Sequence, residues 1–249
     1  MAPAKPPPLL YLFGLPGAGK NFVGELCAAE RSDALRFYDA DEWLLPDMVA
    51  ALAAGKGFTP GMRDRYYAEV SAQIGRLKQA ELAKAQAPRS EGAGAAATAT
   101  CTLRGLVVAQ ATFKACHRRE IVAAHPEAQL WWVRTSDETT RMQRLRERGS
   151  VVDDALGKKL CADFEAPRTA LSVTTECGDR SSEAPPSGDL DLAQPTHSEA
   201  DGCHAVIVND GDELALREQL QALLSLALGE GAADLAAAAT DSAVVSPQL

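Results

Sequence analysis

The chain has 249 residues, of which 46% are hydrophobic and 24% charged, and this suits one globular domain with a full apolar core. No apolar run approaches the roughly 18 residues of a membrane-spanning helix, and the proline-rich residues 1–8 lack the apolar stretch of a signal peptide. We therefore expect no membrane association and no secretion. The net charge of −9 disfavours nucleic acid as a partner.

Cysteine and histidine spacing gives no sign of a metal or redox site, because no CxxC pair is present and the histidines add no ligand spacing. The six cysteines are Cys27, Cys101, Cys116, Cys161, Cys177 and Cys203. We expect free thiols in a reducing compartment, which indicates a cytoplasmic protein.

Apolar strands and amphipathic helices alternate along the chain. Apolar runs predict strands at residues 9–13, 35–39, 106–111, 129–134 and 205–208. Helical spacing predicts helices after the first strand, over 62–84, after the third strand, after Ser136 as an N-cap, and over 214–228. This alternation predicts an α/β fold in which a five-stranded parallel sheet carries helices on both faces.

Three stretches have compositions that do not support a packed core. One is rich in Ala, Gly and Thr, one in Ser, Pro, Glu and Asp, and the last is Ala-rich without an apolar period. Such segments bury too little apolar surface to offset the entropy of ordering. We expect one domain over residues 8–228, with disordered inserts at about 86–102 and 172–202, followed by a disordered tail at 229–249.

A glycine-rich loop follows the first strand and opens a helix. It fits the Walker A pattern G-x-x-x-x-G-K, and its residues are Gly14, Leu15, Pro16, Gly17, Ala18, Gly19, Lys20 and Asn21. The glycines let backbone N–H groups face phosphate oxygens, and the helix N-terminus adds its positive dipole end. Lys20 can then reach the β- and γ-phosphates, so this P-loop predicts an ATP site.

Asn21 departs from the usual pattern, in which a Ser or Thr hydroxyl binds Mg²⁺. An amide oxygen is also an acceptable hard ligand, so Asn21 remains a candidate metal ligand. Weaker metal binding or a shifted metal position is the alternative.

Two carboxylates, Asp39 and Asp41, stand at the carboxyl end of the second strand, where ligands bind in open α/β sheets. We expect this strand beside the first, and residues i and i+2 of a strand point the same way. One carboxylate can bind Mg²⁺ and the other can accept a proton from an attacking hydroxyl. The alternative is a solvated loop with two acids.

The P-loop followed by the D-x-D of residues 39–41 resembles the shikimate kinase and gluconokinase group of small P-loop kinases. The resemblance implies a P-loop NTPase fold, similar to nucleoside monophosphate kinases, with a mobile lid and Mg²⁺-ATP as cofactor. It also implies that Asp39 is associated with the metal, and that Asp41 is the base or orients the substrate hydroxyl.

The gluconokinase branch, with a role in carbohydrate metabolism, fits the remaining segments better. Residues 111–114 resemble that family's S-A-L-K segment, which implies that Lys114 binds substrate. Residues 144–148 resemble its R-L-x-x-R lead into the lid, and residues 160–167 a shortened return ending in Glu-Pro. The resemblance covers about residues 8–170 and 204–228, and the long insert is a departure from it.

Arginines cluster where this lid would begin. Arg141, Arg144 and Arg148 share a helical face and can cover the transferring phosphoryl group and stabilise its charge. With the resemblance, Arg148 is the expected catalytic lid arginine and Arg144 faces the nucleotide, although periodicity alone also fits a solvated basic face. Arg63 could bind a substrate carboxylate, or simply begin a surface helix.

The expected function is therefore a kinase that transfers the γ-phosphate of ATP to a hydroxyl of a small gluconate-like or shikimate-like metabolite. A nucleoside monophosphate kinase shares the fold, although Asp39 and Asp41 would repel an acceptor phosphate. A nucleotide-binding regulatory protein without transfer activity is the third interpretation, because no separate Walker B aspartate follows an apolar strand. We expect a monomer or a homodimer.

Overall fold

The computed structural model describes residues 6–86, 104–148, 154–169 and 202–229. The strands are Leu9–Phe13 (β1), Leu35–Asp39 (β2), Gly105–Gln110 (β3), Ala128–Arg134 (β4), Arg168–Thr169 (β5), Gly202–Cys203 (β6) and Ala205–Val208 (β7). The helices are Lys20–Glu30 (α1), Pro46–Ala53 (α2), Pro60–Gln86 (α3), Ala115–Ala124 (α4), Glu138–Glu147 (α5), Asp154–Asp163 (α6) and Glu213–Leu228 (α7).

Five of the strands form one parallel sheet in the order β2-β3-β1-β4-β7, which confirms the predicted α/β fold. The expectation that β2 lies beside β1 is wrong, since β3 is inserted between them and pairs with both. Strands β5 and β6 form a separate two-stranded pair that the sequence did not predict.

The central strand β1 is buried on both faces and divides the core into two halves. Leu10 and Leu12 face α1 and α7, whereas Tyr11 and Phe13 face α3 and α4. This alternation follows from the two-residue period of a strand. A continuous apolar run is typical of a parallel strand covered by helices on both faces.

Local capping differs from the prediction at one helix. Ser136 was expected to cap α5, but the cap is Asp137, whose carboxylate accepts hydrogen bonds from the backbone N–H groups of Thr139 and Thr140. An aspartate at this position satisfies two of the unpaired donors of the first turn. The backbone N–H of Ser136 instead donates to Asp210 Oδ1 at 2.7 Å.

The predicted inserts and tail lie almost wholly outside the described residues. At their borders, Gln86 ends α3, Gly202 begins β6 and Gly229 caps α7 in a left-handed conformation. The described cysteines, at positions 27, 116, 161 and 203, are free thiols, and Cys101 and Cys177 fall outside the described ranges. Among the helices described, none is both long and apolar enough to cross a bilayer.

Candidate active site

The carboxyl ends of the parallel strands bring the predicted site together at one edge of the sheet. The P-loop follows β1, the acidic pair begins at the end of β2, and the segment leading to Lys114 follows β3. The segment after β7 begins with Asn209, which lies against the P-loop. This is the edge at which open α/β sheets bind ligands.

The P-loop has a backbone that only glycine adopts readily. Gly17 and Gly19 both have φ of 84°, in the left-handed region. A Cβ on Gly19 would also collide with the side-chain amide of Asn209, which donates to Ala18 O at 3.1 Å. Helix α1 starts directly after Gly19 with no side-chain cap and no acidic residue in its first turn. Its first N–H groups are therefore arranged to bind an anion such as phosphate.

Lys20 lies beside this loop and close to both carboxylates of the acidic pair. Its Nζ donates to Leu15 O at 3.1 Å. Burial lowers the pKa of Lys20 to about 8, while the charges of Asp41 and Asp39 act in the opposite direction. Arg148 also lowers this pKa, so it lies within electrostatic range of the lysine. Lys20 therefore interacts electrostatically with Asp39 and Asp41, and more weakly with Arg148.

The acidic pair is built on a turn instead of on the strand. Strand β2 ends at Asp39, and Asp41 belongs to a short 3-10 turn, Ala40–Trp43, so the expectation that both side chains project from one strand is wrong. Asp39 caps this turn by accepting the backbone N–H of Asp41 at 3.0 Å. The two carboxylates nevertheless act on the same lysine.

Asp41 as a residue is exposed to the cleft, but the groups around its carboxylate partly remove that carboxylate from water and disfavour its charged form. Burial of the carboxylate raises the pKa of Asp41, Lys20 opposes this shift, and Asp39 reinforces it. A hydrogen bond from Gln110 favours the ionised form. A carboxylate with a raised pKa is better suited to accept a proton than a fully hydrated one.

Asn21 and Asp39 are in direct contact, because Nδ2 of Asn21 donates to Asp39 Oδ2 at 2.5 Å. An ionised carboxylate has no proton to donate, so the amide must turn its N–H towards it. The candidate metal ligands are the carboxylate oxygens of Asp39 and the amide oxygen of Asn21, and hard oxygens of this kind suit Mg²⁺. The described residues contain no cluster of three His, Cys, Asp or Glu side chains able to bind a metal, so phosphate and water oxygens would complete the shell.

Next to the acidic pair, basic and aromatic residues come from α3 and from the segment after β3. Burial raises the pKa of Tyr67 above its usual range, and Arg63 counteracts this shift, which places Arg63 near the Tyr67 hydroxyl. That hydroxyl donates to Ala111 O at 3.2 Å. Lys114 is paired with Glu165, at 3.1 Å from Nζ to Oε1. Lys114 therefore lies in the segment after β3, and Arg63 of α3 acts on the Tyr67 hydroxyl that is bonded to the same segment.

The arginines of α5 have different environments. Arg141 is 3% exposed and donates through Nη1 to Pro16 O at 3.0 Å, so it fixes the P-loop instead of facing solvent. Arg144 donates through Nη1 to Asn209 O at 2.9 Å, next to Gly19. Arg148 is exposed just after the helix ends, and the residues that follow it, 149–153, lie outside the described part. The predicted lid mobility therefore remains a prediction.

A cavity of about 310 Å³ adjoins the other side of the P-loop. Its walls come from the end of β4, the start of α5 and the end of α6, and include Leu15, Trp132, Arg141 and Phe164. The Trp132 and Phe164 rings stack with centroids 5.9 Å apart. The cavity therefore lies between the P-loop and the segment expected to form the lid.

Sequence reasoning missed three buried residues that support this site, namely Asn209, Tyr66 and Gln110. Each lies far along the chain from its partner, and no motif or spacing connects it with the P-loop or the acidic pair. Gln110 ends a buried apolar strand at the position where a Walker B motif would have an aspartate. A polar residue at the end of such a strand is the one sequence signal that could have identified it.

No protein family model and no curated protein matches the chain. Solved structures do. A gluconokinase from Sinorhizobium meliloti 1021 superposes with a TM-score of 0.56 at 16% identity, covering 90% of this chain and 95% of that one. A sugar kinase from Janibacter sp. HTCC2649 superposes with a TM-score of 0.56 at 16% identity, covering 92% of this chain and 98% of that one. A shikimate kinase from Acinetobacter baumannii has a TM-score of 0.44 at 16% identity, covering 90% of this chain and 95% of that one. The chain therefore has the α/β fold of a small P-loop kinase, the fold that it shares with this gluconokinase and this sugar kinase.

Proposed function

We propose that the protein is an ATP-dependent kinase that transfers the γ-phosphate to a hydroxyl of a sugar acid or a similar small metabolite. The observation that carries the proposal is the convergence of Lys20 with Asp39 and Asp41 at the mouth of the P-loop. A phosphate-binding lysine and two carboxylates at one point provide both a donor site and an acceptor site.

On the donor side, the N–H groups of the P-loop and the first turn of α1 bind the ATP phosphates. Lys20 exchanges its contact with Leu15 O for the β- and γ-phosphates. Arg144, fixed beside Gly19, faces the nucleotide, and Arg148 covers the transferring group and stabilises its charge. Excluding water at this point would favour transfer to the acceptor over hydrolysis.

Asp39 and the amide oxygen of Asn21 would bind Mg²⁺ beside the phosphates. When bound, the cation neutralises charge on the β- and γ-phosphate oxygens. Asp39 already accepts hydrogen bonds on both carboxylate oxygens, from Asn21 and from the Asp41 N–H, so its orientation is fixed in advance. Such preorganisation lowers the cost of assembling the site.

On the acceptor side, Asp41 accepts the proton of the attacking hydroxyl. The oxygen of that hydroxyl forms the new bond to the γ-phosphorus while the bond from the γ-phosphorus to ADP breaks and ADP leaves. Arg63, together with Lys114 once it exchanges Glu165 for the acceptor, supplies positive charge for a carboxylate on the acceptor, which favours a sugar acid over a neutral sugar. The fold shared with a gluconokinase and a sugar kinase supports this substrate class. A cytoplasmic location, a role in carbohydrate metabolism and a monomeric or homodimeric state belong to the same proposal.

A nucleoside monophosphate acceptor fits less well, because its phosphate would approach Asp39 and Asp41. The test is ADP release by the purified protein with Mg²⁺-ATP across sugar acids, shikimate and nucleoside monophosphates. Transfer to a sugar acid or shikimate, lost in Lys20→Ala, supports the proposal. Nucleotide binding without transfer to any acceptor would instead favour a regulatory protein, and transfer to nucleoside monophosphates alone would favour the other kinase class.

A further inference from the structure

A chain of buried hydrogen bonds runs from the end of β3 to the acidic pair. The Tyr66 hydroxyl of α3 donates to Ala40 O at 2.6 Å, and Gln110 Nε2 donates to the same hydroxyl. The other end of the Gln110 amide, Oε1, accepts the backbone N–H of Ala111. The direction is settled by chemistry, because the Ala40 carbonyl can only accept and Tyr66 has one proton to give.

This chain fixes one particular peptide group. Ala40 lies between Asp39 and Asp41, and its carbonyl belongs to the same planar unit as the Asp41 N–H. The Tyr66 hydroxyl bonds the carbonyl side of this plane, and Asp39 Oδ1 accepts the N–H on the other side at 3.0 Å. With both ends bonded, the peptide cannot rotate without losing a buried hydrogen bond.

Burial makes these contacts strong determinants of geometry. Tyr66 is 2% exposed, Gln110 4% and Ala40 0%, so water does not replace a lost partner. A buried polar network that is fully satisfied rigidifies its surroundings, whereas a broken one leaves unpaired groups. The orientation of the turn that carries Asp41 is therefore set from α3 and β3.

We propose that Tyr66 and Gln110 are positioning residues that fix the Asp39–Asp41 turn for phosphoryl transfer. The inference rests on the proposed function for its catalytic part, and neither residue contacts the reacting atoms.

The catalytic test is a double-mutant cycle on turnover. Tyr66→Phe removes only the hydroxyl, and Gln110→Met removes the amide from the other end of the chain while keeping its length. Each should lower kcat about ten- to a hundredfold, the usual scale for a misplaced group, with ATP affinity within twofold of wild type. In an Asp41→Asn background the same changes should lower kcat less than about threefold, because residues that act through one group are not additive. Equal losses in both backgrounds, or an unchanged kcat in either single variant, would overturn the positioning role.

A second measurement does not depend on any acceptor. Hydrogen exchange at the Asp41 amide should be at least about tenfold faster in Tyr66→Phe, because the Ala40 carbonyl loses its partner. It should be faster to a smaller degree in Gln110→Met, because the Tyr66 hydroxyl loses the donor that holds it. Ser71→Ala is the matched control, because Ser71 lies elsewhere on α3 and the change removes its partly buried hydrogen bond to His125. Unchanged exchange in both test variants, or an equal acceleration in the control, would contradict the inference. If the native protein phosphorylates no acceptor, the proposed function fails, and the exchange result alone decides the positioning role.

Discussion

Arg141 and Pro16 are joined by a hydrogen bond, 3.0 Å from Nη1 to the carbonyl oxygen, that ties the first turns of α5 to the P-loop. The same guanidinium contacts Cys161 Sγ at 2.8 Å through Nη2. One buried side chain of α5 therefore connects the phosphate-binding loop with α6.

We expect Arg141→Met to weaken ATP binding by roughly tenfold. A charged donor to a carbonyl contributes about 1.5–3 kcal/mol, and part of this loss should appear as a less ordered P-loop. The measurement is ATP titration by calorimetry. The control is Gln143→Ala, an exposed change on the same helix, and equal affinities for the two variants would show that Arg141 does not stabilise the loop.

Lys20→Ala should abolish ATP binding or turnover while the fold persists. The side chain donates to a loop carbonyl and belongs to neither apolar core cluster, so we expect its loss to cost little core packing. Calorimetry and circular dichroism test the two halves of this prediction. Lys56→Ala, a change at an exposed position, controls for the loss of a positive charge, and native ATP affinity in the Lys20 variant would refute the P-loop interpretation.

Asp41→Asn should lower turnover by about two to four orders of magnitude, the usual range for losing a general base, with ATP affinity largely kept. Phosphoryl transfer depends largely on positioning and electrostatics, so the loss could lie at the small end of this range. Steady-state turnover over a range of Mg²⁺ concentrations is the measurement.

The matched variant is Asp39→Asn, which should raise the Mg²⁺ requirement instead. Native turnover in the Asp41 variant would mean that the acidic pair is a solvated turn without a role in transfer.

Asn21→Ser should preserve or strengthen the dependence of ATP affinity on Mg²⁺, because a hydroxyl restores the common ligand. The same change removes the hydrogen bond from Asn21 Nδ2 to Asp39, so the two effects compete. Calorimetry with and without Mg²⁺ separates them. A variant that loses ATP-dependent activity while its Mg²⁺ dependence is unchanged would show that Asn21 acts mainly through Asp39.

From the environment of Lys78 we predict a pH dependence of folding stability that does not involve the candidate active site. Burial lowers its pKa to about 8, from an ordinary value of 10.5, and its Nζ contacts His125 Nδ1 at 3.0 Å as well as Glu127. Between these two pH values the unfolded chain binds more protons at this position than the folded one. The free energy of unfolding should therefore rise with pH in this window, with a slope of at most about 1.4 kcal/mol per unit from this group.

Urea unfolding of native protein and Lys78→Met between pH 7.5 and 10 tests this linkage. The variant should show the smaller slope, and Lys84→Met, at a lysine whose side chain is 55% exposed, should retain the native slope. Equal slopes in all three proteins would show that the Glu127 contact cancels the effect of burial.

The sheet and its helices could be predicted because apolar periodicity is a local property. Strand β1 and helix α7 follow from runs and spacings that need no knowledge of neighbours. The strand order could not, since the sequences of β2 and β3 do not say which of them pairs with β1. The cap of α5 could not be predicted either, because Ser136 and Asp137 are both suitable cap residues and only the backbone geometry shows that Asp137 is the cap.

For the site, the P-loop was predictable because its function requires particular residues at fixed spacing. The supporting contacts were not, because Asn209 lies 191 residues from the Ala18 carbonyl that it bonds. The helical spacing of the sequence predicts Tyr66 only as one apolar position of α3. In the structure its hydroxyl donates to the Ala40 carbonyl, in the turn that carries Asp41. A side chain of this kind packs in the apolar core and also forms a polar hydrogen bond. The spacing of apolar residues along the sequence predicts the packing but not the hydrogen bond.

The insertion of β3 between β1 and β2 separates the two halves of the cleft onto different parts of the framework. Under the proposed function, nucleotide contacts would depend on β1, α1 and the end of β7, whereas acceptor contacts would depend on β2, α3 and the segment after β3. If Arg63 and Lys114 bind the acceptor as proposed, we expect changes at these two residues to alter which metabolite is phosphorylated without disturbing the P-loop backbone. An engineer who wanted a new acceptor would keep Gly19, Arg141 and Asn209 and randomise the acceptor half.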